Sequence, residues 1–302
     1  MKNLSIIIIS IFFSVFSSCA KEGGQTDTAE LDLPVLSGDE IRVVSYNLLF
    51  EKSTPSNTTQ QWSNRIKVVK DYFRNGSFDI IGTQEAVTFQ VNQIINEMED
   101  YGKIGVSLNE PNGDDLSENA AIFYKKSRFE IIESGNFWFS LTPDRSSYAW
   151  DATYPRMCTW GKFREKSTEK EFYVFNAHFW VSSFVQAPIE AAKILLTRVK
   201  EVADNYPVIC TGDFNHIVSS EPMQILLRES FLHDSRQLAQ ERIGPVGTYH
   251  GFNAEATPAT RIDYVLTNDQ ASPMIYRVLD QELNTRKFGS DHLPVVVDIK
   301  IK

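Results

Sequence analysis

The chain has 302 residues, and its 39 acidic side chains outnumber the 30 basic ones, which gives a formal net charge of −9. Because no run of Lys or Arg forms a basic stripe, duplex DNA is an awkward partner, although nucleic acid as a class stays open. Three cysteines cannot hold a chain of this length together by disulfides. Cys158 and Cys210 lie among apolar residues, so we expect both to be buried free thiols.

The first residues have the pattern of a secretion signal. A basic residue precedes the apolar stretch 4–16, which is shorter than the roughly 20 residues that a membrane span needs, and small residues follow it. The order Phe-Ser-Ser-Cys that ends at Cys19 resembles a bacterial lipoprotein processing site, except that an aliphatic residue is more usual where Phe16 stands. We therefore expect a signal peptide over 1–19 and a flexible tether over 20–38. A lipid on Cys19 would anchor the protein to the cell envelope, at the outer membrane or in the periplasm, and without it the protein would be secreted.

Residues 39–302 are expected to form the folded domain. Short runs rich in apolar, β-branched or aromatic residues predict strands, and apolar residues at helical spacing predict helices. The predicted strands are 41–47, 78–85, 120–124, 129–132, 136–139, 158–163, 171–179, 208–215, 262–266 and 295–299, and the predicted helices are 61–74, 87–98, 187–202 and 221–229. The segment 142–156, with two prolines and three aromatic residues, predicts a long loop of the kind that often carries function.

The strand 208–215 ends in Gly212-Asp213-Phe214-Asn215, and the rest of the chain is interpreted around this ending. Side chains alternate along a strand, so Asp213 and Asn215 point to the same side. A carboxylate there could orient or deprotonate a water, and the neighbouring amide could hold that water or a phosphate oxygen. The alternative is an Asx turn that only closes the strand.

Five other strand ends or adjoining turns also carry polar side chains. Stable α/β sandwiches gather such ends along one edge, so we expect these groups to be neighbours. The full set is Asn47, Glu85, His178, Asp213 with Asn215, Asp263, and Asp291 with His292.

The residue types favour a hard cation. Carboxylate and amide oxygens suit Mg²⁺, or Mn²⁺ in its place, and Glu85, Asn47 and Asp291 are the candidate ligands. The chain has no HExxH motif and no paired CxxC motifs, so zinc is not expected. It also lacks a P-loop and a GxSxG elbow, which argues against nucleoside triphosphatases and serine hydrolases. Two histidines would place positive charge where a phosphate builds up negative charge.

Six short motifs occur in the order of the endonuclease/exonuclease/phosphatase superfamily, and the chain resembles that superfamily from about residue 41 to residue 299. The motifs are Tyr46-Asn47, Gln84-Glu85, Asn176-Ala177-His178, Gly212 to Asn215, Arg261-Ile262-Asp263-Tyr264 and Ser290 to Pro294. The resemblance implies an α/β four-layer sandwich of the DNase I type, in which two mixed β-sheets pack face to face between helices. It also implies Mg²⁺-dependent hydrolysis of a phosphate-ester substrate by direct in-line attack of water. We expect the protein to be a monomer.

The resemblance implies roles for the residues at the metal and at the attacking water. Glu85 would hold the metal with the help of Asn47. Asp291 would be either a further metal ligand or a residue that orients one. Asp213 would orient and deprotonate the attacking water, and Asn215 would position that water or a phosphate oxygen.

The resemblance also implies which residues contact the scissile phosphate. His178 and His292 would do so, with Asp263 orienting His292. The alternative for Asp263 is that of an ordinary strand acid paired with Arg261. His216 and His233 fall outside the motifs and are expected to be structural.

A secreted bacterial branch of the superfamily is a closer likeness, and its members resemble sugar-phosphate phosphatases more than nucleases. The shared features are Phe137-Trp138, Trp150-Asp151-Ala152, Pro155-Arg156, Thr159-Trp160 and Gly247 to Phe252. Arg156 could clamp a phosphate, with a loop salt bridge as the alternative, and His250 could line the same cleft. The chain departs from the branch at Phe179-Trp180-Val181, where Phe-Asp-His is usual, and it lacks the Arg expected near Gln186. Trp180 could stack on a sugar or base, or only fill space.

The sequence therefore predicts a Mg²⁺-dependent phosphomonoesterase or phosphodiesterase of the cell envelope. Net acidity and the aromatic loop favour a small or sugar-like substrate over a polynucleotide. An extracellular nuclease and a sphingomyelinase-like phosphodiesterase are the alternatives within the superfamily. A non-catalytic binding lipoprotein is the alternative of another class, and it is disfavoured because every motif group is present.

Overall fold

The computed structural model of the protein describes residues 31, 33–51 and 57–302. The predicted signal peptide, Cys19 and most of the predicted tether lie outside the described residues. Within the described ranges, no helix is both long enough and apolar enough to cross a membrane.

The described residues form thirteen strands and six α-helices. The strands are β1 (Glu40–Asn47), β2 (Ile80–Gln84), β3 (Tyr101–Ile104), β4 (Ile122–Lys125), β5 (Phe129–Trp138), β6 (Met157–Glu165), β7 (Glu171–His178), β8 (Val208–Asp213), β9 (His233–Asp234), β10 (Glu241–Ile243), β11 (Asp263–Thr267), β12 (Ala271–Val278) and β13 (Val295–Ile301). The helices are α1 (Trp62–Asn75), α2 (Thr88–Glu97), α3 (Gln186–Ala203), α4 (Glu221–Arg228), α5 (Ser235–Leu238) and α6 (Gln281–Thr285), with a 3₁₀-helix at Thr58–Gln60.

The strands form two mixed sheets that pack face to face. Sheet one has the order β10-β12-β13-β1-β2-β4-β3, and sheet two has the order β5-β6-β7-β8-β11-β9. Helices α1 and α2 pack on the outer face of sheet one, and α3 and α4 pack on the outer face of sheet two. The space between the sheets is filled by apolar residues of both, such as Val43, Ile80, Phe172 and Ile209. The predicted four-layer sandwich is confirmed.

One polar bridge crosses the core between the sheets. Nε2 of Gln84 in sheet one donates a hydrogen bond to Oδ1 of Asn176 in sheet two over 2.7 Å, and Nδ2 of Asn176 donates to the carbonyl of Thr83 over 2.8 Å. Oγ1 of Thr211 donates to the same Asn176 oxygen over 3.0 Å. Gly82 leaves room for this contact, because a Cβ atom there would lie 2.1 Å from Oγ1 of Thr211. The bridge fixes the spacing of the sheets where their strands end.

Strand direction brings the predicted polar ends to one edge. In sheet two β7 and β8 are parallel, so His178 lies beside Asp213, and antiparallel β11 places Asp263 on the other side of Asp213. In sheet one β1 and β2 are parallel, so Asn47 ends one strand and Glu85 follows the end of the other. The packing of the sheets then sets these two groups of residues against each other.

The sequence patterns locate the helices better than the strands. The four predicted helices agree with α1 to α4 within one residue at each end. The patterns miss β12 because Pro273 interrupts it, and the register against β13 shifts between Pro273 and Ile275 to accommodate the proline. The two strands predicted at 129–132 and 136–139 form the single strand β5 with a bulge. Cys158 and Cys210 are free and buried, as predicted.

The predicted loop 142–156 is confirmed, and part of it has a structural task. Its Asp151 accepts hydrogen bonds from the backbone N–H groups of Val185 over 2.6 Å and Ala187 over 2.7 Å, at the start of α3. A carboxylate at this position satisfies N–H groups that have no partner within the helix. The loop is thereby held against the segment that follows β7.

Glu282 of α6 is a buried acid that ties the C-terminal part of the chain to β1. It accepts a hydrogen bond from Oη of Tyr46 over 2.7 Å and another from the backbone N–H of Gly289 over 2.9 Å. Burial raises the pKa of the Glu282 carboxyl from its usual 4.5 to about 8, because these hydrogen bonds offset only part of the lost hydration. The folded protein therefore binds this proton more tightly than the unfolded chain does.

We predict that Glu282→Gln flattens the pH dependence of stability. Between pH 4.5 and about 8 the folded state holds more of this proton than the unfolded state. The free energy of unfolding of the wild-type protein therefore falls as pH rises, by up to about 1.4 kcal/mol per pH unit. Glutamine mimics the neutral acid and removes this slope. Urea unfolding at several pH values measures it, with the exposed Glu241→Gln as control, and an equal slope in both variants would contradict the assignment.

Candidate active site

Asp213 lies at the centre of the strand-end site. Its Oδ2 accepts a hydrogen bond from Nδ2 of Asn47 over 2.8 Å and lies 3.7 Å from Nε2 of His178 and 3.9 Å from Nε2 of His292. Its Oδ1 accepts from the backbone N–H of Asn215 over 2.8 Å. Burial, together with a neighbouring carboxylate, raises the pKa of the Asp213 carboxyl to about 7. A carboxylate with such a pKa is suited to take up a proton near neutral pH.

Asp263 orients and charges His292. Nδ1 of His292 lies 2.8 Å from Oδ2 of Asp263, and Oγ1 of Thr248 donates to the same oxygen. Burial on its own would lower the pKa of His292, but Asp263 and two further carboxylates outweigh it and raise the pKa to about 10. His292 is therefore a cation at neutral pH. Its Nε2 atom, on the far side of the ring, is the one nearest Asp213.

Arg261 does not pair with Asp263, which removes the alternative for that acid. Its guanidinium forms two hydrogen bonds to Asp234, over 2.9 and 2.6 Å. The Arg261 and Tyr264 side chains also lie together, with the guanidinium carbon 4.3 Å from the ring centre. Asp263 is thus left to His292 and Thr248.

His178 is held as a neutral imidazole. Its Nε2 lies 3.1 Å from Nδ2 of Asn215, and that amide nitrogen also donates to the carbonyl of Phe179 over 3.0 Å. Since an amide nitrogen only donates, Nε2 accepts and the ring proton is assigned to Nδ1. Burial lowers the pKa of His178 well below its usual 6.5, and the Arg156 cation lowers it further. The two histidines of the site thus differ in charge: His178 is neutral and His292 is a cation.

Glu85 reaches the site from sheet one with an unusual backbone. Its φ is 63°, and Asn215 on the opposite sheet has a φ of 55°, a left-handed conformation that costs energy for a residue with a side chain. Oε1 of Glu85 accepts from Nδ2 of Asn47 over 3.1 Å and lies 3.9 Å from Nε2 of His178. Burial and the nearby Glu118 raise the pKa of the Glu85 carboxyl. The Arg156 and His292 cations lower this pKa, but they do not offset the whole rise.

The donor atoms around Glu85 fit a divalent cation. Glu85, His178 and Asp213 offer ligand atoms that all lie within 4.8 Å of one another. Asp213, Asp263 and His292 form a second such group, but there the His292 cation already offsets one of the two carboxylates. Burial and the carboxylates of Glu118 and Asp291 oppose the ionisation of Glu85 more strongly than the Arg156 and His292 cations favour it, and a hard cation at the Glu85 oxygens would stabilise the ionised form. Glu85 is accordingly the residue best placed to bind a divalent metal ion.

The structure supports two other predicted metal ligands, Asn47 and Asp291, less directly than it supports Glu85. Oδ1 of Asn47 accepts from the backbone N–H of Leu49 over 2.9 Å, so its amide nitrogen, not its oxygen, faces the carboxylates. In this arrangement Asn47 holds Glu85 and Asp213 together. Asp291 belongs to neither of the two groups of possible ligands found among the described residues, although its charge acts on Glu85. The ligand roles of Asn47 and Asp291 stay predictions.

Arg156 enters the site from the end of the loop 142–156. Nη1 donates to Oε2 of Glu118 over 2.7 Å, and the guanidinium lies 5.1 Å from the centre of the Tyr154 ring. The loop salt bridge that was the alternative is therefore present. Nε is nevertheless buried without an acceptor among the described residues, so Arg156 keeps donor capacity for a phosphate. Beside it opens a cavity of about 350 Å³ with Phe50 and Leu116 in its lining.

Trp180 does not offer its ring to a substrate, and the prediction of a stacking role is wrong. The side chain is fully buried, with 0% of its surface exposed. Its Nε1 donates to the carbonyl of Tyr154 over 3.0 Å, and its ring packs near Tyr154 and Phe139. Trp180 fills the space between the loop 142–156 and α3, which a sequence motif alone could not reveal.

His250 lies at the margin of the site and is also mostly buried. Its ring stacks on Phe288 with centroids 5.2 Å apart, and its Nδ1 accepts from the backbone N–H of Phe252 over 3.1 Å. Burial lowers the pKa of His250 to about 4, so the ring is neutral. Its backbone N–H donates to the carbonyl of Asp291 over 3.0 Å. A contact between His250 and substrate stays a prediction.

The sequence motifs contained site residues to which they gave no role. Thr248 stands in the quoted segment Gly247 to Phe252 and proves to bind Asp263. Gln84 and Asn176 stand in quoted motifs and prove to join the sheets beneath the site. No sequence motif pointed to Glu118, because its partner Arg156 is 38 residues away in sequence.

We predict that Asp263→Asn lowers the pKa of His292 from about 10 toward or below the usual 6.5, because the variant lacks the adjacent negative charge. NMR titration of the histidine rings in metal-free protein measures this. Asp269→Asn is the control, since Asp269 pairs with His233 over 2.9 Å at the other end of β11. A His292 pKa that stays near 10 in Asp263→Asn would rule out Asp263 as its main partner.

We predict that Trp180→Phe destabilises the protein without weakening substrate binding. The smaller ring leaves space in the core and forfeits the bond to Tyr154, which should cost about 1–3 kcal/mol of unfolding free energy. Urea unfolding measures the loss, and KM measured on the same preparation should change by less than about twofold. A large rise in KM with unchanged stability would restore the stacking role.

Comparison with known proteins agrees with the fold. A sequence profile of the Endonuclease/Exonuclease/phosphatase family matches residues 44–292. Two solved structures from Bacteroides thetaiotaomicron are 32% identical to the chain. One is described as an endonuclease/exonuclease/phosphatase family protein and has a TM-score of 0.81, and the match covers 87% of this chain and 98% of that protein's chain. The other is a mannosyl-6-phosphatase with a TM-score of 0.79, and the match covers 86% of this chain and 99% of the phosphatase chain.

A viral relative spans the same region. Uncharacterized protein L388 of Acanthamoeba polyphaga mimivirus is 24% identical over an alignment of 275 residues, and the match covers 85% of this chain and 99% of the relative. The family match extends over most of the chain and includes every residue of the site, from Asn47 to His292. The chain therefore belongs to the endonuclease/exonuclease/phosphatase family, whose members are hydrolases that act on phosphoesters.

Proposed function

We propose that the protein is a Mg²⁺-dependent hydrolase of phosphate esters, with Mn²⁺ as an alternative ion, that acts on a small or sugar-like substrate by in-line attack of water. The observation that carries this proposal is the setting of Asp213. Its carboxylate has a pKa near 7 and lies between a neutral and a cationic imidazole, at 3.7 and 3.9 Å. This arrangement supplies a proton acceptor next to a fixed positive charge.

Asp213 is the general base of the proposed reaction. Its Oδ1 is fixed by the N–H of Asn215 and its Oδ2 by the amide of Asn47, so the carboxylate is held in one orientation. A water that binds to Asp213 could lose its proton to the carboxylate as it attacks phosphorus. The amide of Asn215, bonded to His178, limits where that water can lie.

His292 stabilises the charge that develops on the phosphate. Its imidazolium is oriented by Asp263 and Thr248, and this preorganised cation interacts more strongly with charge because it is buried. Arg156 has free donor capacity for a second phosphate oxygen. Glu85, with Asn47 and Asp291 as further candidates, would hold the metal ion. When bound there, a divalent cation would offset the negative charge of the phosphate.

The proposed substrate is small because of the cavity next to Arg156. Its volume of about 350 Å³ lies at the small end of the range for small-molecule sites. The lining combines the polar pair Glu118 and Arg156 with apolar surface from Phe50 and Leu116. Such a mixture suits a sugar ring, whose hydroxyl groups and apolar face need both kinds of contact. The similar mannosyl-6-phosphatase supports a sugar phosphate in particular.

We also propose that the enzyme acts at the cell envelope as a member of the secreted lipoprotein branch. The support is the signal-peptide pattern, Cys19 and the branch-specific motifs of the sequence. Labelling of cells with a radioactive or alkyne-tagged fatty acid tests it. Labelled wild-type protein and unlabelled Cys19→Ser would agree with the proposal, and equal labelling of both would contradict it.

We predict that Asp213→Asn lowers kcat by at least about a hundredfold, because the amide cannot accept the proton of the attacking water. The assay compares wild type and variant with Mg²⁺ or EDTA on mannose 6-phosphate, a chromogenic phosphodiester, sphingomyelin and plasmid DNA. Asp269→Asn makes the same chemical change at the exposed far end of β11 and serves as control.

The outcome separates the proposal from its alternatives. Metal-dependent release of phosphate from the sugar phosphate, lost in Asp213→Asn and kept in Asp269→Asn, agrees with the proposal. Preferential cleavage of plasmid DNA or sphingomyelin would identify a nuclease or a sphingomyelinase-like enzyme instead. Inactivity of the wild-type protein on all four substrates would favour a binding role.

A further inference from the structure

A second concavity lies near the site, and its lining is basic although the chain is acidic. It has a volume of about 650 Å³. Five cations and one carboxylate line it, whereas the whole chain has a net charge of −9. The cations are Lys67, Lys70, Arg74, Arg286 and Lys287, and the carboxylate is Asp71. We call this concavity the basic groove.

Folding assembles the basic groove from two distant parts of the sequence. Lys67, Lys70 and Arg74 are three and four residues apart on α1, so they share one face of that helix. Arg286 and Lys287 come directly after α6. The cations therefore form a concentrated patch even though no run of basic residues exists in the sequence.

Neighbouring acids neutralise only part of this positive charge. Lys70 pairs with Glu97, and Arg286 pairs with Glu255. Lys67 donates to the side-chain oxygen of Asn64 over 3.1 Å. Among the described residues, Lys67, Arg74 and Lys287 have no carboxylate partner within 4.0 Å. Counting Asp71 and the two paired acids, five cations face three carboxylates, which leaves a net charge of +2.

The basic groove reaches the margin of the catalytic site through one side chain. Phe288 belongs to the groove lining, and its ring stacks on His250 with centroids 5.2 Å apart. The backbone N–H of His250 donates to Asp291, the residue next to His292. A substrate that occupies the site could therefore extend past Phe288 into the groove.

We propose that the basic groove binds a second phosphate group of the same substrate whose ester is hydrolysed at the site. The inference rests on the proposed function and narrows it to a multiply phosphorylated small molecule or oligosaccharide. Lys and Arg donors suit phosphate oxygens. A single-stranded polynucleotide would also need exposed ring faces for its bases. Phe288, the aromatic residue of the groove, is only 8% exposed and is already stacked, so it provides none.

The first test is calorimetric titration of the protein with inorganic tripolyphosphate. EDTA is present so that chelation of a metal contributes nothing, and without metal the carboxylates of the site repel the probe. The double variant Lys67→Glu/Lys287→Glu changes two exposed cations from the two parts of the groove. Its control is Lys126→Glu/Lys166→Glu, an equal change of charge at two exposed lysines. Lys126 follows β4, which runs antiparallel to β2, so the control lies at the opposite end of the sheet.

The proposal predicts that tripolyphosphate binds the groove variant at least about tenfold more weakly than it binds the wild type and the control. With excess Mg²⁺, tripolyphosphate should also raise the KM for p-nitrophenyl phosphate in wild type and control, and by a smaller factor in the groove variant. Equal affinity in all three proteins, or no binding to any, would overturn the proposal. Tighter binding of the oligonucleotide dT10, lost in the groove variant, would replace it with a polynucleotide site. Groove-dependent binding in a protein without turnover would support the groove and contradict the hydrolase.

Discussion

The hydrogen bonds of Asn176 to sheet one are the contact on which the site depends. Each sheet contributes half of the catalytic groups, so their distances are set by how the sheets pack. Asn176 accepts from Gln84 and donates to Thr83, and all three lie buried immediately before the strand ends. An unpaired amide there would be costly, so this polar contact tolerates only one register of one sheet on the other. Glu85 and His178, which follow Gln84 and Asn176 closely, inherit that register.

The charges of the site are distributed unevenly around Asp213. On one side Asp263 and Thr248 hold an imidazolium at His292. On the other, Glu85 lies near acids that oppose its ionisation. This imbalance is what a hard cation would correct, and it leaves Asp213 between them free to act as a base. Glu85 and Asn215 both have a left-handed backbone, which is an unfavourable conformation that orients their side chains toward the site.

Local pattern and motif order could predict much of this structure. Apolar periodicity located α1 to α4, and the strand-end motifs named Asp213, Asp263 and His292, since both signals lie within a few consecutive residues. What failed depended on contacts between distant segments. Trp180 is buried by a loop that precedes β6, and Gln84 meets Asn176 across 92 residues of sequence. The basic groove joins α1 to a segment about two hundred residues later in the sequence. The sequence has no basic run, and this absence therefore gave no sign that the folded surface carries a basic patch.

The proposed reaction needs a metal at Glu85 and an Asp213 carboxylate that stays free to take a proton. Anomalous diffraction from a crystal soaked in Mn²⁺ and inorganic phosphate tests both points at once. We expect one anomalous peak next to the Glu85 oxygens, with phosphate within hydrogen-bond reach of His292 and Arg156. A peak held by Asp213 and His178 without Glu85, or no ion at the strand ends, would contradict it.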